Sequence, residues 1–222
     1  MSESYKGVIL VGGPSKGTQF RPLSLDVPKP LLPVGGVEMI GHQVHALSKI
    51  PNMAEIIIIG FYGESSFQTF TQVIEETYNI PCKYFQEKKA LGTAGGIFEF
   101  KDKIFDAKTT NIFVLHCDIC CHFPLTEMLK FHLSHGKICT VMSVEVPVNE
   151  SKNYGCFIKA KDSNELIHYA EKPESSIGNL INCGIYIFTS DLFKQLKEAK
   201  EHKLEVHWEF LIYFNHLFTG NL

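Results

Sequence analysis

The chain is short of net charge: 21 Lys and Arg against 24 Asp and Glu leave −3 at pH 7 over 222 residues. A balance this close to zero excludes bulk electrostatic binding of nucleic acid, so any contact with a polyanion is local. It also lacks a run of about 20 apolar residues, the length a membrane span needs. Residues Met1 to Lys6 have no apolar core of the signal-peptide kind, and a cytoplasmic location is expected. Seven cysteines, an odd number scattered through expected strands, do not make a disulfide framework. Cys82, Cys139, Cys156 and Cys183 lie in apolar runs and read as small buried hydrophobes. Cys117 and Cys120 have zinc-ligand spacing, but no second Cys pair or His pair completes a tetrahedral set. The ten histidines form no nucleophilic arrangement, and His42 and His45 read as packing or surface residues of one helix. There is no internal repeat and no low-complexity linker. What remains, 45% hydrophobic and 20% charged residues, is the composition of a globular domain long enough for a full core.

Short apolar runs of β type alternate with helical patterns, which predicts a mostly parallel sheet with helices on its faces. Val8 to Val11, Ile56 to Ile59 and Ile112 to Leu115 are near-continuous, as strands buried on both faces are. Between them the spacing predicts a helix over 37–49 with Met39, Ile40, Val44 and Leu47 on one stripe. A second, over 65–78, turns Phe67, Phe70, Val73, Ile74 and Tyr78 inward, and Leu125, Met128, Leu129 and Leu133 mark a third. After Cys139 the pattern becomes strands and turns, over 140–146, 156–160, 166–169 and 181–188. That predicts a smaller, more antiparallel part on one side of a ligand cleft. Residues 201–222 form an apolar tail of different character, with Trp208, Phe210, Phe214 and Phe218.

The first strand runs into Gly12-Gly13, then a basic loop to Arg21, then Pro28-Lys29-Pro30. Paired glycines let backbone N–H groups approach a polyanion, and Lys and Arg add charge there. Two prolines hold the backbone around Lys29 at low entropic cost. The loop is not a Walker P-loop, because Thr18 stands at the lysine position after Gly17, and Gly12-Gly13 lacks the third glycine of a dinucleotide fingerprint.

This run resembles the signature of the NTP:sugar-1-phosphate nucleotidyltransferases. Further matches follow in order: Leu91-Gly92-Thr93-Ala94-Gly95-Gly96, Val114 to Asp118, Asn153-Tyr154-Gly155-Cys156, Glu171-Lys172-Pro173 and Ile181-Asn182-Cys183-Gly184. Together they cover roughly residues 5–190. Within the family the chain is most similar to the branch that makes GDP-mannose, and there to the regulatory alpha-type chains, which pair with a catalytic beta-type subunit. The resemblance implies a Rossmann-like α/β domain over 5–200 with a mostly parallel central sheet and a smaller antiparallel sugar-side part. A left-handed β-helix, which follows in the family, has no counterpart in this sequence.

The family's reaction is attack of a sugar-1-phosphate on the α-phosphate of an NTP, with pyrophosphate leaving and Mg²⁺ neutralising charge. The resemblance assigns catalytic roles to Arg21 and Lys29 on the phosphates and to Asp118 as the metal carboxylate. Gly12, Gly13, Gln86, Glu87 and Gly92 fall to the nucleotide, where Glu87 suits the two adjacent donors of guanine. Lys172 falls to the sugar phosphate, and Gly155, Glu171, Asn182 and Gly184 to the sugar. Two features depart from the catalytic pattern. Gln19 stands where the family has an arginine, and no second aspartate for magnesium follows Asn182 in matching context. Three readings stay open: a regulatory subunit that binds GDP-mannose, an active guanylyltransferase using GTP and mannose-1-phosphate, and a non-binding structural or truncated chain.

Overall fold

Parallel strands cannot be joined by a tight turn, so the apolar runs at 8–11, 56–59 and 112–115 require crossovers, and helices supply them. The computed structural model describes residues 4–13, 20–89, 92–194, 196–197 and, for backbone alone, 217–221. It divides into two compact units, Met1–Ala90 with Glu99–Leu125 and Leu91–Phe98 with Thr126–Leu222.

In the first unit β1 (Ser4–Gly12) leads through a small hairpin, β2 (Pro33–Val34) and β3 (Val37–Glu38), into α1 (Met39–Ser48). β4 (Met53–Gly60), α2 (Ser65–Tyr78), β5 (Cys82–Gln86) and β6 (Thr109–His116) follow. The strands lie in the order β5-β4-β1-β6, all parallel. Ile56 to Ile59 and Ile112 to Leu115 are 0–1% exposed, as both-face burial requires. Helix α1 begins at Met39 rather than Val37, because Gly35 and Gly36, both at positive φ, turn Val37–Glu38 back onto Pro33–Val34. The expected stripe of Met39, Ile40, Val44 and Leu47 is buried. Helix α2 keeps the expected bounds and ends on Asn79 in the left-handed region, whose N–H donates to the Glu75 carbonyl at 2.9 Å. Val73 does not face inward but is half exposed, since Phe67, Phe70 and Ile74 fill the core stripe.

A charge cluster sits at the amino ends of these strands. Lys6 Nζ lies 3.1 Å from both Glu55 Oε2 and Asp106 Oδ2 and donates to the Lys103 carbonyl at 3.2 Å. Lys83 meets the other Glu55 oxygen at 2.5 Å. Lys6 and Glu55 are both buried, so the pairing offsets a desolvation cost that either charge alone would carry.

The second unit holds α3 (Gly92–Glu99), α4 (Leu125–His135) and strands β7 (Cys139–Glu145), β8 (Gly155–Lys159), β9 (Glu165–Glu171) and β10 (Leu180–Thr189). β10 pairs antiparallel with β7 and β8, and β8 with β9, which is the expected antiparallel part. A fifth strand, β11 (Leu217–Asn221), pairs parallel with β7 and antiparallel with β9. Residues 201–216 and 222 lie outside the described residues, so the sequence's apolar tail is described only at β11. On α4 the core position after Leu129 is His132, 2% exposed, while Leu133 is half exposed. Cys82, Cys139 and Cys156 are buried as expected, whereas Cys183 is only half-buried because it sits in a bulge of β10 between Asn182 and Tyr186. Among the described residues no helix is long and apolar enough to cross a membrane.

Candidate functional site

From β1 the chain moves to β4 and β5 on one side, then returns to β6 on the other, so strand order reverses beside β1. In open α/β sheets that reversal leaves a crevice beyond the carboxyl ends, where ligands bind. Gly12 ends β1 there, Gly13 follows it, and Asp118 follows β6. Gly12 has φ +62°, a conformation that disfavours any side chain, and a Cβ on it would meet nothing within 4 Å. At Gly13 a Cβ would come 2.6 Å from the Phe61 Cβ, so the second glycine is a packing requirement. The Gly12 carbonyl accepts the Phe61 N–H at 2.7 Å.

Lys29 opens a short 3-10 turn over Lys29–Leu31, with Pro30 buried. Its amine lies 3.7 Å from Asp118 Oδ2 and over the Phe20 ring at 5.6 Å. Asp118 is half exposed and Lys29 about a fifth exposed, so the pair faces solvent and is available to a ligand. Beside it, burial and then the Asp118 charge push the Cys117 thiol up to about 12, with Lys29 acting in the other direction. That thiol stays protonated at neutral pH. Arg21 is exposed, and Gln19 and Lys16 lie outside the described residues.

The loop that carries Asp118 is held by a residue the motifs do not reveal. Gln43 on α1 is fully buried, and its amide donates to the carbonyls of His116 at 2.7 Å and Ile119 at 3.1 Å. The two bonds clamp the backbone on either side of Cys117-Asp118. The sequence did carry a signal: Gln43 occupies the apolar stripe between Met39 and Leu47, where an amide needs a buried partner. His42 and His45 make ordinary helix contacts, to the Val34 carbonyl at 2.8 Å and the Tyr78 hydroxyl at 3.3 Å.

Of the residues expected to meet the base, Gln86 is exposed at the end of β5. Glu87 is buried, its N–H donating to the Gly60 carbonyl at 2.8 Å. Desolvation and then Glu99 raise its carboxyl to about 7. Gly92 opens α3 at φ +77°, and Ala94, Gly95 and Gly96 are buried along that helix.

In the second unit Glu171 ends β9 and Lys172 follows at φ +43°, unusual for a residue with a side chain. Strain of this kind persists where the surroundings fix it, and the Lys172 N–H donates to the Tyr154 carbonyl at 3.1 Å. The Lys172 amine is 3.9 Å from Glu171 Oε1. Asn182 stands at the β10 bulge: its Oδ1 accepts the Gly184 N–H at 2.9 Å and its Nδ2 donates to the Tyr186 hydroxyl at 2.7 Å. Gly184, at φ +67°, lets the bulge form. At Gly155 a Cβ would overlap the Tyr169 hydroxyl. The structure thus brings Lys29 to Asp118 in one unit, and Gly155 to Glu171 and Lys172 in the other.

Among the described residues no three His, Cys, Asp or Glu side chains converge to hold a metal. Asp118 is the carboxylate that the motif assigns to a metal, and Mg²⁺ would suit it because that ion keeps waters and takes phosphate oxygens for most of its ligands.

A family model described as Nucleotidyl transferase matches residues 6–216. The chain is 51% identical over 188 residues to the mannose-1-phosphate guanylyltransferase regulatory subunit alpha of Dictyostelium discoideum, covering 85% of this chain and 46% of that protein. It is 45% identical over 194 residues to the mannose-1-phosphate guanylyltransferase regulatory subunit alpha-A of Danio rerio, covering 86% and 46%. The chain thus spans about half the length of these curated relatives. Among solved structures, a Bacillus anthracis protein assigned as a glucose-1-phosphate thymidylyltransferase, in complex with a sucrose, superposes with TM-score 0.84 at 21% identity. That match covers 99% of this chain and 87% of the other, and it bears on the fold alone, a Rossmann-like α/β architecture.

Proposed function

The chain belongs to the nucleotidyl transferase family, and from that premise we propose that it binds GDP-mannose as the regulatory alpha-type subunit of a hetero-oligomer with a catalytic beta-type subunit. The observation that carries this reading is the Lys29–Asp118 pair, an amine and a carboxylate 3.7 Å apart beside the reversal in strand order. The Lys29 amine would take a phosphate, and the Asp118 carboxylate would hold Mg²⁺. Arg21 adds charge, and Gly12 and Gly13 add backbone donors. Gln86, Glu87 and Gly92 take the base, with Glu87 facing the N1–H and N2–H₂ of guanine once it is ionised. Lys172, Glu171, Asn182, Gly155 and Gly184 form the sugar-phosphate side.

Gln19 favours regulation over catalysis. A neutral amide where the family has an arginine removes a charge and a two-pronged donor from the transition state, worth on the order of 3 kcal/mol or more. Relatives bearing the regulatory-subunit name support the same choice. Active transfer between GTP and mannose-1-phosphate is the second reading, favoured by the presence of Lys29, Asp118 and Lys172. In it Asp118 would hold Mg²⁺, which when bound supplies charge neutralisation at the phosphates. We place the protein in the cytosol.

Thermal unfolding with Mg²⁺ and GDP-mannose, GTP, UTP or ADP-glucose, run beside a pyrophosphate-release assay, tests the choice. GDP-mannose at a hundredfold excess over its dissociation constant stabilises a binder by about 2.7 kcal/mol. A shift without pyrophosphate is the expected result. Release from GTP and mannose-1-phosphate makes the chain an enzyme, and no shift with any ligand overturns both readings.

A further inference from the structure

An exposed carboxylate at a strand end ordinarily samples several rotamers, and fixing it costs entropy at the moment a ligand binds. Glu171 is 45% exposed at the end of β9, yet one of its oxygens is already held. The Tyr169 hydroxyl donates to Glu171 Oε2. Residues two apart on a strand share a face, so the two side chains leave β9 on the same side. The Tyr169 ring is itself fixed: it is 8% exposed and tilted against Phe157 of β8, with centroids 5.0 Å apart.

Room for the hydroxyl comes from the neighbouring strand. Gly155 pairs with Glu171 in the β8–β9 ladder, and a Cβ on it would overlap the Tyr169 hydroxyl and lie 2.8 Å from Glu171 Oε2. The second carboxylate oxygen, Oε1, is the one nearer the Lys172 amine, at 3.9 Å. Burial and the Glu171 bond push the Tyr169 phenol well above its ordinary range, so it remains a donor at any physiological pH.

We propose that Tyr169 is a positioning residue for the sugar side: admitted by Gly155, its hydroxyl pre-orients Glu171 to accept from a sugar hydroxyl beside the Lys172 amine. The inference rests on the reading that Lys172 takes the sugar phosphate and Glu171 the sugar hydroxyls of a nucleotide sugar. It adds a residue outside the recognised motifs and gives Gly155 a reason that is internal to the protein.

Calorimetric titration of the full chain with GDP-mannose and with GDP tests it. Tyr169→Phe keeps the ring and removes only the hydroxyl. It should lower GDP-mannose affinity about tenfold, the scale of one hydrogen bond to a charged group, and leave GDP affinity unchanged. A purely structural role would weaken both ligands alike and overturn the proposal. In a Glu171→Ala background the tyrosine change should have no further effect, and an additive loss also overturns it. Gly155→Ala, which displaces the hydroxyl, should reproduce the selective loss. If Tyr169→Phe leaves both affinities intact while Glu171→Ala selectively weakens GDP-mannose, the positioning role fails and the sugar-site reading stands. If Glu171→Ala and Lys172→Ala both leave the preference for GDP-mannose over GDP unaltered, the sugar-site reading fails and the inference falls with it.

Discussion

Glu87 follows β5 at only 9% exposure, and its carboxyl is raised to about 7 from an ordinary 4.5. The folded protein therefore holds that proton more tightly than the unfolded chain does. Below pH 4.5 both states are protonated and the residue is neutral to stability. Between 4.5 and 7 the unfolded chain sheds the proton first, so stability falls as pH rises, and above 7 the full cost is present. Each unit is worth about 1.4 kcal/mol, which makes the total on the order of 3 kcal/mol. Glu87→Gln removes the cost. Its melting temperature should exceed that of the parent protein by on the order of 5 °C or more at pH 8.5 and match it near pH 4.5. An equal gain at both values would mean that the charge is not what the site resists. If Glu87 takes the base as proposed, the two guanine donors need its ionised carboxylate, so GDP affinity should rise between pH 6 and 8.

Helix α4 and strand β7 are tied by a chain of polar groups that runs from the surface at Lys137 to the buried His132, and the tautomers can be read from its ends. The Lys137 N–H donates to His135 Nδ1 at 2.9 Å, so that nitrogen carries no proton and His135 Nε2–H donates to Thr140 Oγ1 at 2.7 Å. Thr140 then donates its own proton to His132 Nδ1 at 2.8 Å. Both rings must be neutral for the chain to close. Burial, and then His135, lower His132 to about 4 from 6.5. Between those values the unfolded chain takes up the proton first, so the contribution is whole above pH 6.5 and is lost as pH falls to 4. Thr140→Val breaks both bonds while keeping the shape. A loss of about 2–3 kcal/mol in urea unfolding at pH 7.5 is expected, and an unchanged midpoint would refute the network. The sequence made α4 visible by its apolar spacing but put Leu133 where His132 sits, because a histidine inside a satisfied chain counts as apolar and no periodicity reveals that. Helix α2 and the core strands were legible for the opposite reason: their residues are buried against their own sheet or stripe, and local pattern decides it. The β2–β3 hairpin was written in Gly35-Gly36 but is too short to register against the helix it precedes. Lys29 and Asp118 were both picked out by motif, yet their pairing depends on β1 and β6 being neighbours, which only topology provides. Gln43 and Tyr169 act through other residues, and that kind of role leaves no motif.

Across the whole molecule, charge in the parallel unit is divided between the two ends of the sheet, and the two ends face different demands. At the amino ends Lys6, Glu55, Asp106 and Lys83 satisfy one another, and Lys6 and Glu55 are nearly inaccessible. At the carboxyl ends Lys29 and Asp118 have a longer contact and a solvent-facing carboxylate, so their charges are not spent on each other. Removing a partner should therefore do opposite things at the two ends. Lys6→Met leaves Glu55 buried with only Lys83 to balance it, and should cost about 3 kcal/mol of stability while GDP-mannose affinity is unchanged. Lys29→Met removes half of an exposed pair, which should move stability by less than about 1 kcal/mol, but it should weaken GDP-mannose and GDP alike by on the order of tenfold or more. Denaturant unfolding and calorimetric titration on the two variants separate these effects. If Lys29→Met unfolds as easily as Lys6→Met and still binds nucleotide at full affinity, then Lys29 belongs to the scaffold. The phosphate side of the proposed function would then lose its anchoring residue. If the effects divide as expected, the nucleotide is bound by the end of the sheet that stability does not need.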